Sequence, residues 1–162
     1  MAFIKANILC LLLLASGCGW GKPAPYARHT QALLESFGKE MEKEFGLVFQ
    51  GCGGSMPNSV DEVEVLFEAR RKGTIEDARA LQIAGTEKLL QKINGEESLK
   101  PYLKESPFPA DKVSLSISYS KFDDGSIALA YKTGNKIFYY SYDTSSNSLQ
   151  TLFSESYENA LK

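Results

Sequence analysis

From Val113 to Ser120 every second residue is serine. Val113, Leu115, Ile117 and Tyr119 alternate with Ser114, Ser116, Ser118 and Ser120. In a strand, successive side chains point to opposite faces, so this pattern describes one apolar face and one wet face. A helix would scatter the same residues around its circumference. The chain therefore needs a sheet that is covered on one side only, and the rest of the sequence must supply the cover.

Two segments have the period for that role. From about Tyr26 to Glu44, Leu33, Leu34, Phe37, Met41 and Phe45 recur at steps of three and four, with Lys39, Glu40, Glu42, Lys43 and Glu44 on the far side, and Gly46 is a stop signal. From Thr74, paired with Asp77 as a capping signal, Ile75, Ala78, Leu81, Gly85, Leu89 and Ile93 make a second apolar stripe that ends at Asn94-Gly95. Leu47 to Gln50 reads as a short strand. Gly51 to Ser59 reads as a loop, because Gly51, Gly53, Gly54 and Pro57 interrupt it. Val60 to Arg71 alternates apolar residues with Glu62, Glu64, Glu68 and Arg70, Leu66 being the exception. Ser106-Pro107-Phe108-Pro109 is extended, since proline excludes helix from the residue before it.

After Tyr119 the chain turns at Asp123-Asp124-Gly125-Ser126, and Ile127, Leu129 and Tyr131 continue the alternation. A second turn at Thr133-Gly134-Asn135 leads into a strand from Lys136 to Tyr142. Leu149 to Phe153 is a candidate edge strand, and Ser154 a candidate cap for a last helix from Glu155 to Leu161. The expected class is α+β: a two-layer sandwich in which two helices cover a mainly antiparallel sheet of about five strands.

The amino-terminal end has a different character. Lys5 precedes the apolar run Ile8 to Ala15, and the small residues Ala15, Ser16 and Gly17 follow, which is the order of a secretory signal. The run is about half the roughly 20 residues that a membrane-spanning helix needs. Leu14-Ala15-Ser16-Gly17-Cys18 resembles the lipobox of bacterial lipoproteins. The resemblance implies cleavage before Cys18, a diacylglycerol on its thiol and usually an acyl chain on the new amino terminus. In that family the position three before the cysteine is usually leucine; here it is Ala15. The same residues also satisfy an ordinary signal cut, which would leave a soluble periplasmic or secreted protein. The expected organisation is a signal peptide over residues 1–17, a lipid-anchored tether over 18–25 and one α+β domain over 26–162. Gly19 after the cysteine, where enteric lipoproteins held at the inner membrane carry aspartate, favours the outer membrane on the same resemblance. Stretches of the body (Met56-Pro57-Asn58, Thr74 to Arg79, Ile93-Asn94, Pro101-Tyr102-Leu103 and Pro107-Phe108-Pro109) resemble a group of small exported proteins of chlamydia-like intracellular bacteria. That resemblance supports an exported single domain and implies no active residue.

The formal charge of the chain is −2, and loss of residues 1–17 removes only Lys5, leaving −3. Without a basic run the chain has no electrostatic footprint for nucleic acid or for charge-driven membrane binding. The expected membrane contact is the lipid on Cys18, and the protein partner is open. No cofactor or metal is expected, because one histidine and one spare cysteine make a poor transition-metal set, and Asp123-Asp124-Gly125-Ser126 lacks the spacing of a calcium loop.

Cys52, in Gly51-Cys52-Gly53-Gly54-Ser55, is the one candidate nucleophile, with His29 as its base. The alternative is a structural thiol, and the expectation is that the chain is not an enzyme. Gly53-Gly54-Ser55-Met56-Pro57 does not supply the glycines of a serine-hydrolase elbow, and the stretch lacks a P-loop lysine. The acidic residues Asp61, Glu62, Glu64 and Glu68 read as a solvated strand face. Phe138, Tyr140 and Tyr142 fall on one face of a strand and Ile137 and Tyr139 on the other, so one set lies outside the main core, either under a loop or helix or on an interface. Tyr139, Tyr140 and Tyr142, together with the serine-rich face, are the candidate interaction surface.

Overall fold

The computed structural model of the chain describes residues 24–123 and 126–162. The signal peptide, Cys18, the tether up to residue 23, and Asp124 and Gly125 lie outside the described residues. The elements follow the order α1 (Pro25–Phe45), β1 (Leu47–Ser55), β2 (Glu62–Ala69), α2 (Ile75–Gly95), β3 (Val113–Tyr119), β4 (Leu129–Thr133), β5 (Lys136–Asp143), β6 (Ser148–Ser156) and α3 (Tyr157–Ala160). Single 3-10 turns at Lys100–Tyr102 and Ala110–Lys112 connect α2 to β3.

The fold is α+β, with six strands in the sheet order β1-β2-β3-β4-β5-β6. Every neighbouring pair is antiparallel except β2 and β3, which run parallel. Parallel neighbours need a long crossover, and α2 is that crossover. The alternation of β3 is realised as expected, with Val113, Leu115, Ile117 and Tyr119 buried. The core also takes Leu34, Phe37 and Met41 from α1, Leu81, Leu89 and Ile93 from α2, and Val63, Val65 and Phe67 from β2. Phe37 meets Phe67 edge to face at 6.0 Å between centroids. At Gly38 the helix lies so close to β1 that a Cβ would stand 2.4 Å from the Phe49 ring.

Helix starts follow local chemistry. Pro25, expected in the tether, is instead the first helical residue of α1, a position where its missing N–H costs nothing. Thr74 caps α2 as expected, accepting from the Asp77 N–H at 3.1 Å. The last cap is Ser156 rather than Ser154, accepting from the Asn159 N–H at 3.1 Å. Pairing with β5 holds Ser154 and Glu155 in the ladder, so the helix starts later.

Three strand assignments differ from expectation. The glycine-rich stretch after Gln50 is strand, not loop: β1 continues to Ser55, pairing Gly51 with Leu66, Cys52 with Val65 and Gly54 with Val63 across a bulge at Gln50. Gly54 has φ +154°, and a Cβ there would stand 2.1 Å from the Glu62 carbonyl oxygen, so glycine is what lets the strand run through. The candidate edge strand exists as β6 and raises the count to six. In β4 the large apolar residues Leu129 and Tyr131 do not continue the buried face. Ala130 and Lys132 are buried instead, because Ala130 is paired with the buried Ile117 and Lys132 with the buried Leu115.

The fully buried Lys132 donates to the carbonyls of Ala110 at 2.6 Å, Val113 at 2.8 Å and Gly134 at 3.1 Å. Its three protons thus tie a 3-10 turn, the start of β3 and the β4–β5 turn together. Burial pushes its pKa down to about 8. On the same side Glu155 of β6 accepts from Arg79 of α2 and from the Tyr139 hydroxyl, each at 2.7 Å.

Candidate functional site

Both long helices lie on one face of the sheet, and among the described residues no helix covers the other face, which is open. Its composition follows from register. One row across the strands reads Gly51, Leu66, Ser116, Tyr131, Phe138 and Ser154. The next reads Val48, Glu68, Ser118, Leu129, Tyr140 and Thr151. Nearer the β1–β2 connection, Gly53, Glu64 and Ser114 stand in line, and the Ser114 hydroxyl donates to Thr133 Oγ1 at 3.3 Å. At the opposite end Tyr142 pairs with Leu149.

These rows build a groove. Its floor is β3, where the side chains are serines and project little. One wall is β2 with Glu62, Glu64, Leu66 and Glu68; the other is β4 with Leu129, Tyr131 and Thr133. At two strand spacings it is about 10 Å wide, and at seven residues about 20 Å long. It deepens at one end into a depression of about 320 Å³ lined by Ser55, Glu62, Glu64, Ser114, Tyr131 and Thr133. Beyond β4 the face is aromatic. Phe138 and Tyr140 lie ring over ring at 6.2 Å, and Phe122 meets Tyr142 at 5.6 Å. Phe138, Tyr140 and Tyr142 are half-buried. Leu66 on β2, Phe122 and Leu149 are exposed.

The structure thus brings together the serine face and the aromatic face that the sequence offered separately. Tyr140 and Tyr142 stand on the open side. Tyr139 does not: it is fully buried on the helix side, stacked on Phe153 at 5.9 Å and bonded to Glu155. Alternation along β5 forces this, since Tyr139 cannot share a face with its neighbour Tyr140. Tyr131, Leu129, Leu66 and Phe122 join the surface without having been expected there. Register was the missing information, because only strand pairing assigns β4 its face.

Glu62 and Glu64 make no ion pair among the described residues, whereas Glu68 has Arg70 at 3.6 Å and Asp61 has Lys104 at 2.9 Å. Among the described residues the face therefore holds two carboxylates outside any ion pair beside an aromatic ring, with Lys104 near enough to Glu62 to feel its charge.

Cys52 and His29 occupy other places. Cys52 pairs with the buried Val65 and sits half-buried against the core cluster. Burial, with a smaller contribution from Glu35, raises its thiol pKa, the opposite of what a thiolate nucleophile needs. His29 belongs to a separate, exposed cleft of about 520 Å³ between α1 and α2. There Ser98 Oγ lies 3.0 Å from Nδ1 and 3.4 Å from Nε2 of His29, while donating to Glu96 Oε1 at 2.7 Å. The serine proton is thus committed to the glutamate. The Ser98 oxygen approaches both ring nitrogens at once rather than one along its lone pair, which is not the alignment of a nucleophile with its base.

Among the described residues no helix is long and apolar enough to cross a membrane. No family model, no curated protein and no solved structure matches the chain.

Proposed function

We propose that this chain is a lipid-anchored protein of a bacterial cell envelope whose domain works by binding a partner through the open face of its sheet. The observation that carries the binding role is that face itself: two helices protect one side of a six-stranded sheet, and the other side presents half-buried rings beside carboxylates and hydroxyls. Exposed apolar surface of this kind marks interaction sites. The anchor rests on the order Lys5, Ile8 to Ala15, Ser16-Gly17-Cys18. One acyl chain holds a protein only marginally, so two or three on Cys18 would be needed for permanent residence. The outer membrane is the favoured location, after the residue that follows Cys18. The raised thiol pKa of Cys52 and the commitment of His29 to Ser98 and Glu96 give a catalytic role no support.

The anchor is tested by the intact mass of the protein recovered from membranes of an expressing bacterium. A chain beginning at Cys18 and heavier by two or three acyl chains is expected. An unmodified chain in the soluble fraction would overturn it. The binding role is tested with a photo-cross-linking residue at Ser116, on the open face, or at Gln31, on the exposed side of α1. Adducts from position 116 alone are expected; adducts from neither position, or equally from both, would remove the binding reading.

A further inference from the structure

We propose that the open-face groove receives an extended, cationic polypeptide segment, with an arginine or lysine of that segment seated between Glu62, Glu64 and Tyr131. The inference rests on the binding role argued above and names the chemistry of the partner.

The groove selects by charge first. Its β2 wall holds Glu62, Glu64 and Glu68; Arg70 is paired with Glu68, and Lys104 is paired with Asp61 while also feeling the charge of Glu62. Lys136, which shares the Phe138 face of β5, stands three strands from β2. Two unpaired carboxylates over one depression attract an incoming cation and repel an acidic chain, which is how complementary potentials set partner choice and encounter rate. Glu62 and Glu64 are two residues apart on one strand face, so both reach the same depression. Tyr131 forms its opposite side, and an ammonium or guanidinium over a tyrosine ring gains a cation–π contact.

Shape selects next. A groove about one strand wide at its floor suits a single extended chain better than a helix, whose diameter with side chains is about 10–12 Å. The floor offers hydroxyls rather than apolar side chains. The Ser114 hydroxyl is bonded to Thr133 and that of Ser118 to the Phe67 carbonyl at 3.2 Å, while the Ser116 hydroxyl makes no hydrogen bond among the described residues. Ser116 can therefore pair with a backbone group of the incoming chain. Leu66 and Leu129, at the rims, suit the aliphatic stem of a lysine or arginine, whose methylenes pack on apolar surface while the head stays polar. A neutral glycan would also find rings and hydroxyls here, but it would leave the two carboxylates without a counter-charge.

The test uses a labelled nonapeptide of alternating arginine and valine, read by fluorescence anisotropy against the purified protein. Its glutamate-for-arginine counterpart and the neutral sugar chitotetraose are run beside it. Saturable binding of the arginine peptide is expected, lost at high salt and absent for the glutamate peptide. The double variant Glu62→Gln/Glu64→Gln should weaken it at least tenfold, and Glu44→Gln, on the helix side, should leave it unchanged. Both glutamates are outside the core, so a folded variant is expected, with circular dichroism as the check. Absent binding, binding indifferent to the two glutamates, or displacement by chitotetraose would overturn the proposal. If the arginine peptide fails while position 116 still gives adducts, the cationic partner falls and the binding role stands; if both fail, the binding role falls too.

Discussion

The Lys132 ammonium lies 5.0 Å from the centroid of the Tyr157 ring, deep beneath the helix-covered face. Among the described residues it makes no ion pair, and only the more distant charge of Asp111 acts on it. Three carbonyls and one aromatic face hold the charge instead, and they come from the turn before β3, from β3, from the β4–β5 turn and from α3.

Replacing Lys132 with methionine keeps much of the volume and removes every one of those bonds. Orphaning buried acceptors costs about 1–3 kcal/mol each, and two of the three carbonyls can regain water because they are only partly buried, so a loss of about 2–4 kcal/mol is expected. Urea unfolding followed by circular dichroism should show a lower midpoint with an unchanged slope. An unchanged midpoint would mean that the ammonium holds nothing together.

The same group gives stability a pH dependence of known sign. The native ammonium releases its proton near pH 8, whereas in the unfolded chain it does so near 10.5. Between those values the unfolded state binds more protons, so this group makes stability rise with pH. The buried phenols act the other way. Tyr119 is raised to about 12 by burial, and Tyr139 and Tyr157 are raised by burial and by their bonds to Glu155 and Glu87. Above pH 10, where an unfolded tyrosine ionises, the native state binds more protons and stability falls. Melting temperature should therefore climb above pH 8 and turn over above about pH 10. The climb, but not the fall, should vanish in Lys132→Met.

Glu155 binds β6 to the rest of the domain through one oxygen, which accepts from both Tyr139 and Arg79. Glu155→Ala should cost about 2–4 kcal/mol, because it leaves a buried hydroxyl and a guanidinium without their acceptor. Tyr139→Phe should cost less, about 1 kcal/mol. The double variant should lose less than the sum, with a coupling of about 0.5–3 kcal/mol in a double-mutant cycle. Strict additivity would show that the two side chains do not act as a unit.

For Cys52 the expectation is slow chemistry. A half-buried thiol with a raised pKa is mostly protonated at neutral pH. A thiol reagent should label it slowly in the folded protein and rapidly in denaturant. Rapid labelling of the native state would reopen the case for a nucleophile.

Sequence alone determined the local pattern. The period-two run from Val113 to Tyr119, the stripes of α1 and α2, and the capping pair Thr74 and Asp77 all appear in the structure at those positions. Each depends on residues within a few positions of one another, and local chemistry is enough to specify it. Tertiary structure decided the rest. Whether Gly51 to Ser55 is loop or strand depended on β2 lying beside it. Whether Tyr131 or Lys132 enters the core depended on the pairing of β4 with β3. Whether Tyr139 or Tyr140 meets solvent depended on which side the helices took. A strand with apolar residues on both faces does not carry its own orientation; that comes from neighbours distant in the chain. The open groove exists only through their register.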